Sequence, residues 1–311
     1  MPRKIRFVRD DYRLISPRSG QLVHAWDITT PVIDGCYLLR PDLPCLSIVH
    51  GVLGRAQSRW QFDIFNFHVM STHWHLVGGF TSLRQKARVM RFLNGEIARR
   101  INKLRGRRGP LFERRHQAIQ IMSDADLLDR VGYVLSQGTK AFVVRHPSED
   151  PFACGAPALL MGKALRGTWL TGEQTLEYEV QLSPVPFLGE SLAAQRPAIW
   201  EIADTIARTQ RVRRKKAGRR LSGPELARTI DPWTRQPASP RRPAPEVHGT
   251  ATQRAAWRRA YRRARHAYSR ATTAFRAWQA DSSAVMVPWP PGTLPPAFAD
   301  QEPFAVSRGS P

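Results

Sequence analysis

The chain has 311 residues, enough for one large domain or two smaller ones, and 42% of them are hydrophobic, enough to build a core. Its net charge of +23 points to a polyanionic partner, most simply nucleic acid. Three scattered cysteines, Cys36, Cys45 and Cys154, exclude a disulfide framework and a zinc knuckle. No apolar run reaches membrane-spanning length and no secretory leader opens the sequence, so a reducing cytoplasm and no membrane contact are expected.

Residues 1–21 read as a basic lead-in. Residues 22–40 mix β-formers with Pro31 and Gly35 and predict a strand, a turn and a second extended piece. Leu46, Val49, Val52 and Leu53 recur at helical spacing within residues 44–59. Residues 60–68 alternate apolar and polar as a strand and lead into a second strand carrying His73 and His75, which Gly78 and Gly79 end. The clearest helix spans 82–104, capped by Ser82, with Ala87, Met90, Leu93, Ile97, Ile101 and Leu104 on one face. A basic turn and a β-like stretch over 111–122 follow, then a helix over 125–137 capped by Ser123 or Asp124, and a last strand over 141–144. Strands and helices interleaved around a hairpin predict an α+β fold, a ferredoxin-like antiparallel sheet with packed helices.

Beyond about residue 150 Pro and Gly become frequent and no second family of strands is evident, so residues 166–231 read as a basic, partly helical extension. Within it, 198–210 and 222–230 predict two helices split by the basic run from Arg211 to Arg220, which would suit a helix-turn-helix. Residues 232–250 read as a Pro-rich linker. Residues 251–280 form a basic amphipathic helix whose aromatic stripe, Trp257 to Trp278, reads as packing rather than base stacking. Residues 281–311 are expected to be disordered. Charge concentrates toward the C-terminus: residues 206–280 hold 20 Lys and Arg against 3 Asp and Glu.

Residues at i and i+2 of a strand share a face, so His73 and His75 project together and can share a divalent metal. Tyr133 and Gln137 lie one helical turn apart; the phenol can serve as a nucleophile and the amide oxygen can complete a metal shell. A tyrosine attacking a phosphodiester needs this combination, because a metal neutralises charge on the non-bridging oxygens. Basic residues surround it, and Arg84, Arg88, Arg91, Arg99, Arg107, Arg108, Arg114 and Arg115 are the candidates for phosphate contacts. His116 reads as a surface residue. His68, five residues before His73, is expected to face away from it and is left out of the site.

Residues 22–165 resemble the HUH single-tyrosine transposases, especially the REP-associated tyrosine transposases. Met70-Ser71-Thr72-His73-Trp74-His75-Leu76 resembles their Met-Pro-Asn-His-hydrophobic-His-Leu strand. Phe92-Leu93-Asn94, then Gly109-Pro110-Leu111-Phe112-Glu113-Arg114-Arg115-His116, resembles their helix and Gly-x-Leu/Phe-Phe-x-x-Arg-Tyr segment. Tyr133-Val134-Leu135-Ser136-Gln137-Gly138 resembles their Tyr-Ile-x-x-Asn-Pro helix end. The resemblance implies a catalytic domain over 22–165 with His73 and His75 as ligands of Mg or Mn, Gln137 as third ligand and Tyr133 as nucleophile. It implies cleavage and rejoining of single-stranded or hairpin DNA through a phosphotyrosine. Ser71-Thr72 in place of Pro-Asn, and Gly138 in place of Pro, depart from the pattern. Two rivals stand beside this reading: a catalytically inactive regulatory DNA binder on the same fold, and a replication-initiator or relaxase relative. The sequence leaves open a homodimer in which Tyr133 serves a partner's metal site.

Overall fold

The computed structural model describes residues 5–236 and 246–296. They fall into two compact units, one of Arg13–His248 and one whose described residues are 5–12 and 249–296.

In the larger unit the chain runs through β1 (Leu14–Ile15), β2 (Leu22–Pro31), α1 (Leu43–Arg59), β3 (Asp63–Met70), β4 (His73–Phe80), α2 (Leu83–Leu104) and β5 (Gln117–Ile121). It continues through α3 (Asp124–Leu135), α4 (Gln137–Lys140), β6 (Ala153–Cys154), α5 (Ala156–Met161), β7 (Leu165–Thr171) and β8 (Gln174–Val180). It ends with α6 (Leu192–Lys216), α7 (Pro224–Thr229) and β9 (Val247–His248). The main sheet has the order β6-β3-β4-β2-β5-β9, with β1 paired to the start of β2. Its centre, β3-β4-β2-β5, is antiparallel and connected as β-α-β-β-α-β, the ferredoxin-like arrangement expected for an α+β fold. β9 adds in parallel to β5, which makes the sheet mixed.

The helices begin where the capping chemistry places them. Asp42 Oδ1 accepts from Cys45 N at 3.0 Å to start α1, and Ser82 Oγ accepts from Gln85 N at 3.1 Å to start α2. Ser123 does the same for α3. The apolar stripe of α2, Val89, Met90, Leu93, Ile97 and Ile101, is fully buried. One turn of 3-10 helix, Ile33–Gly35, replaces the second extended piece expected within 22–40.

Residues 141–144 form no strand. They close α4 instead: Phe142 N donates to Thr139 O and Val143 N to Gly138 O, the paired bonds of a Schellman end. Phe142 occupies the left-handed position of that motif, at φ 59°, where glycine is the usual residue. An L side chain there costs about 1–2 kcal/mol.

The region after residue 150 holds a hairpin that the sequence does not advertise. β7 and β8 pair through a two-residue turn and pack on α1. The approach is close enough to require glycine on both sides: a Cβ on Gly51 would lie 2.1 Å from Thr168 O, and one on Gly167 would lie 2.2 Å from Ser47 O. Trp169 stacks on Phe92 of α2 at 5.7 Å and carries the Arg100 guanidinium 3.7 Å from its ring. The break between the two expected helices does not begin at Arg211. α6 passes unbroken through Arg211–Lys216, because arginine and lysine are good helix formers and cations suit a helix C-terminus. Seven residues separate it from the short α7, too many for a helix-turn-helix. Of the expected linker, residues 237–245 lie outside the described residues; its end is β9, fixed to the sheet, with His248 Nε2 2.9 Å from Asp27 Oδ2.

The smaller unit is built on α8 (Ala251–Ala280), opened by a Thr250/Gln253 capping box. Its aromatic stripe packs, as expected: Phe7 meets Trp257 and Tyr261 edge-on, and Trp289 meets Tyr268 at 4.8 Å. Residues 281–296, expected to be disordered, return along the helix, and Tyr268 donates to Leu294 O at 3.2 Å. Residues 297–311 lie outside the described residues. No described helix is long and apolar enough to cross a membrane.

Candidate active site

β3 turns into β4 at Ser71-Thr72, and β4 begins with His73. Trp74 Nε1 donates to Asn94 Oδ1 of α2 at 3.2 Å, so α2 covers the Trp74 side of the sheet. Alternation turns His73 and His75 to the opposite side, where α3 lies. Their rings are 4.8 Å apart and nearly perpendicular. Each Nδ1 meets a threonine hydroxyl, His75 with Thr29 Oγ1 and His73 with Thr72 Oγ1, both at 3.0 Å. This leaves each Nε2 as the ligating atom, and that of His75 is buried with no protein partner. Such an orphaned buried nitrogen is what an imidazole awaiting a metal presents. Burial, then the neighbouring His68 and Lys140, pushes His73 down to about 4; burial, then His73, His68, Lys140 and Arg130, holds His75 well below its ordinary value. Both rings are therefore neutral near pH 7, the form that binds metal.

The Tyr133 ring stands edge-on to His75 with centroids 5.7 Å apart. Lys140 Nζ donates to the Tyr133 hydroxyl at 3.1 Å, and the Arg130 guanidinium sits 4.7 Å from the ring centre. Gln137 is buried, and its Nε2 donates to Tyr133 O at 2.8 Å, leaving Oε1 as the atom that could coordinate a metal. The α3–α4 segment thus brings together Tyr133, Gln137, Arg130 and Lys140. The sequence reading did not name Arg130 and Lys140. Their signal was available, since 130, 133, 137 and 140 follow helical spacing.

His68 does not face away from the pair. It lies on β3 directly opposite His75, and cross-strand partners share a face. The expectation failed because a hairpin turn, not continuous strand, separates His68 from His73. His68 Nε2 is 2.8 Å from Asp150 Oδ2, and His68, Asp150 and Cys154 place their donor atoms within 4.8 Å of one another, a group that could hold a metal ion. This group also explains Gly138: a Cβ there would lie 2.1 Å from Asp150 Oδ2. Neither proline nor any other residue with a side chain fits without displacing the carboxylate. Thr72, the other departure, supplies the hydroxyl against His73 Nδ1.

The eight arginines do not form one cluster. Arg84, Arg88, Arg91 and Arg99 are exposed on α2, across the sheet from the histidines, and Arg99 pairs with Glu96. Arg107 is held by Asn102 Oδ1 and Pro110 O, both at 2.9 Å. Arg108, Arg114 and Arg115 are exposed on the loop before β5, as part of a segment whose Glu113 N donates to Pro31 O; Pro31 pairs with His73. That loop therefore runs along the end of β2, one strand away from the histidine end of β4.

A solved structure of a REP-associated tyrosine transposase bound to a REP hairpin is 15% identical to this chain, over 56% of it and 97% of that chain, with a TM-score of 0.37. No family model matches the chain, and no curated protein is significantly similar to it.

Proposed function

We propose that the chain cleaves and rejoins single-stranded or hairpin DNA through a covalent phosphotyrosine at Tyr133, as a metal-dependent, transposase-like tyrosine nuclease. The observation that carries this reading is the convergence of Tyr133, its hydroxyl bonded to Lys140, with a buried His75 whose Nε2 lacks a protein partner. The order of motifs from Met70 to Gly138 supports it independently. His73, His75 and Gln137 would hold a divalent metal, Mg or Mn, which when bound would supply charge against the non-bridging phosphate oxygens.

Tyr133 Oη attacks the phosphorus, and the bond to the leaving deoxyribose oxygen breaks. One strand end becomes the phosphotyrosine and the other a free hydroxyl, after the phenol proton passes to solvent and the leaving oxygen gains one. The Lys140 ammonium steadies negative charge on Oη, and Arg130 adds a second cation beside the ring. Attack by the free hydroxyl on the phosphotyrosine reverses the step, so the broken bond's energy is retained. Tyr133 and His75 meet within one chain, which favours a site complete in each copy over one shared between copies.

Protein incubated with Mg or Mn and single strands bearing hairpins should give an adduct stable on denaturing gels. Tyr133→Phe should abolish it, and His73→Ala or His75→Ala should slow it by about a hundredfold or more. An adduct that survives Tyr133→Phe sinks the assignment. Tight binding without any adduct would favour the inactive, regulatory reading.

A further inference from the structure

Beside the Tyr133 segment lies a cleft of about 470 Å³ between the end of α4, the 142–146 loop and the second half of α6. Arg145, Arg208, Arg211 and Arg214 line it, and no carboxylate does among the described residues. Ser222 N and Gly223 N donate to Phe142 O and Val143 O, tying the chain beyond α6 back against the loop as a wall. Thr139, one of the lining residues, is the residue before Lys140, the amine bonded to Tyr133.

Two details mark the cleft as built for a ligand. Phe142, held at the Schellman end of α4, is among the lining residues and offers an aromatic side chain there. Gln210 Oε1 is buried in the lining with no hydrogen-bond partner, an acceptor waiting for a donor. Guanidinium groups match phosphate oxygens, an aromatic face takes a stacked base, and an unmatched acceptor suits an exocyclic amine or ring N–H. A volume of this size accommodates a nucleotide.

We infer that this cleft holds the single strand flanking the scissile phosphate, with Arg211 and Arg214 on the backbone and Phe142 and Gln210 against a base. The inference rests on the reading of Tyr133 as a nucleic-acid nucleophile, but binding can be measured without cleavage. The probe is a fluorescein-labelled single strand of roughly 20 nucleotides, titrated against full-length Tyr133→Phe protein by anisotropy at several salt concentrations. Arg211→Ala/Arg214→Ala should weaken binding about tenfold and flatten the salt dependence by ~1.4, two phosphates' worth. The Arg211→Lys/Arg214→Lys protein, which keeps the charge, should recover most of the slope, and Arg166→Ala, on the distant hairpin, should change neither quantity. Unchanged affinity and slope in the alanine pair would overturn the inference, as would an equal loss for the lysine pair or for duplex of the same length. Loss of adduct formation with intact arginine-dependent binding would count against the Tyr133 chemistry and leave the cleft standing.

Discussion

Gly138 shows how one position is fixed by a group twelve residues away. The Asp150 carboxylate, bonded to His68, fills the space a Cβ would need. Gly138→Ala should cost about 1–3 kcal/mol by urea unfolding, and in an Asp150→Ser background the same change should cost less than half as much. Additive losses would mean that the carboxylate is not what excludes the side chain. At this scale the sequence was readable where partners are close along the chain: His73 with His75 on one strand, and Tyr133 with Gln137 across the α3–α4 junction, a spacing that also carried the unread signal of Arg130 and Lys140. It was not readable where the partner arrives through a turn or a distant segment. His68 reaches its place by the hairpin, and Asp150 and Cys154 by a loop and an edge strand with no spacing relation to the histidines.

Among the elements, those with periodic burial were legible: α1, α2, α3 and α8, and the β3–β4 hairpin. β7 and β8 were not, because most of their side chains are exposed and they are held to α1 by a close glycine approach, Gly51 against Gly167, and by polar contacts such as Ser47 with Thr168 and Arg55 with Tyr178, which leave no periodic apolar pattern. Residues 141–144 have the composition of a strand, yet the Schellman bonds at the end of α4 take the backbone groups a strand would pair. His50 reports on the α1–β7 contact. It is buried, with Nδ1 3.2 Å from Arg166 O, and burial, partly offset by that carbonyl, lowers it from 6.5 to about 4. As pH falls the unfolded chain therefore takes the proton first. The neutral ring's contribution is full above about 6.5 and is lost as pH falls toward 4, an effect on the order of 2–3 kcal/mol. Urea midpoints measured from pH 7 to 4.5 should fall, and His50→Leu should flatten that limb; an equally steep limb in the variant would place the effect elsewhere.

For the whole molecule, net charge points to a polyanionic partner but not to a location for it, since basic residues occur on both sides of the sheet and on α8. That helix carries eight arginines and no acidic residue. If it contributes phosphate contacts, residues 13–248 alone should still form the Tyr133 adduct while the slope of log affinity against log salt falls by ~2 or more. An unchanged slope, read by anisotropy between about 50 and 200 mM salt, would remove α8 from the interface. The sheet's topology also has a consequence for synthesis on the ribosome. β5 is made by residue 121, but its outer neighbour β9, with the His248–Asp27 bond, is made only at residues 247–248. At ordinary elongation rates the nascent chain waits on the order of ten seconds with that edge uncovered. During that interval the outer edge of β5 is open to other chains, so slower elongation between residues 121 and 247 would lengthen the period in which a chaperone has to shield it.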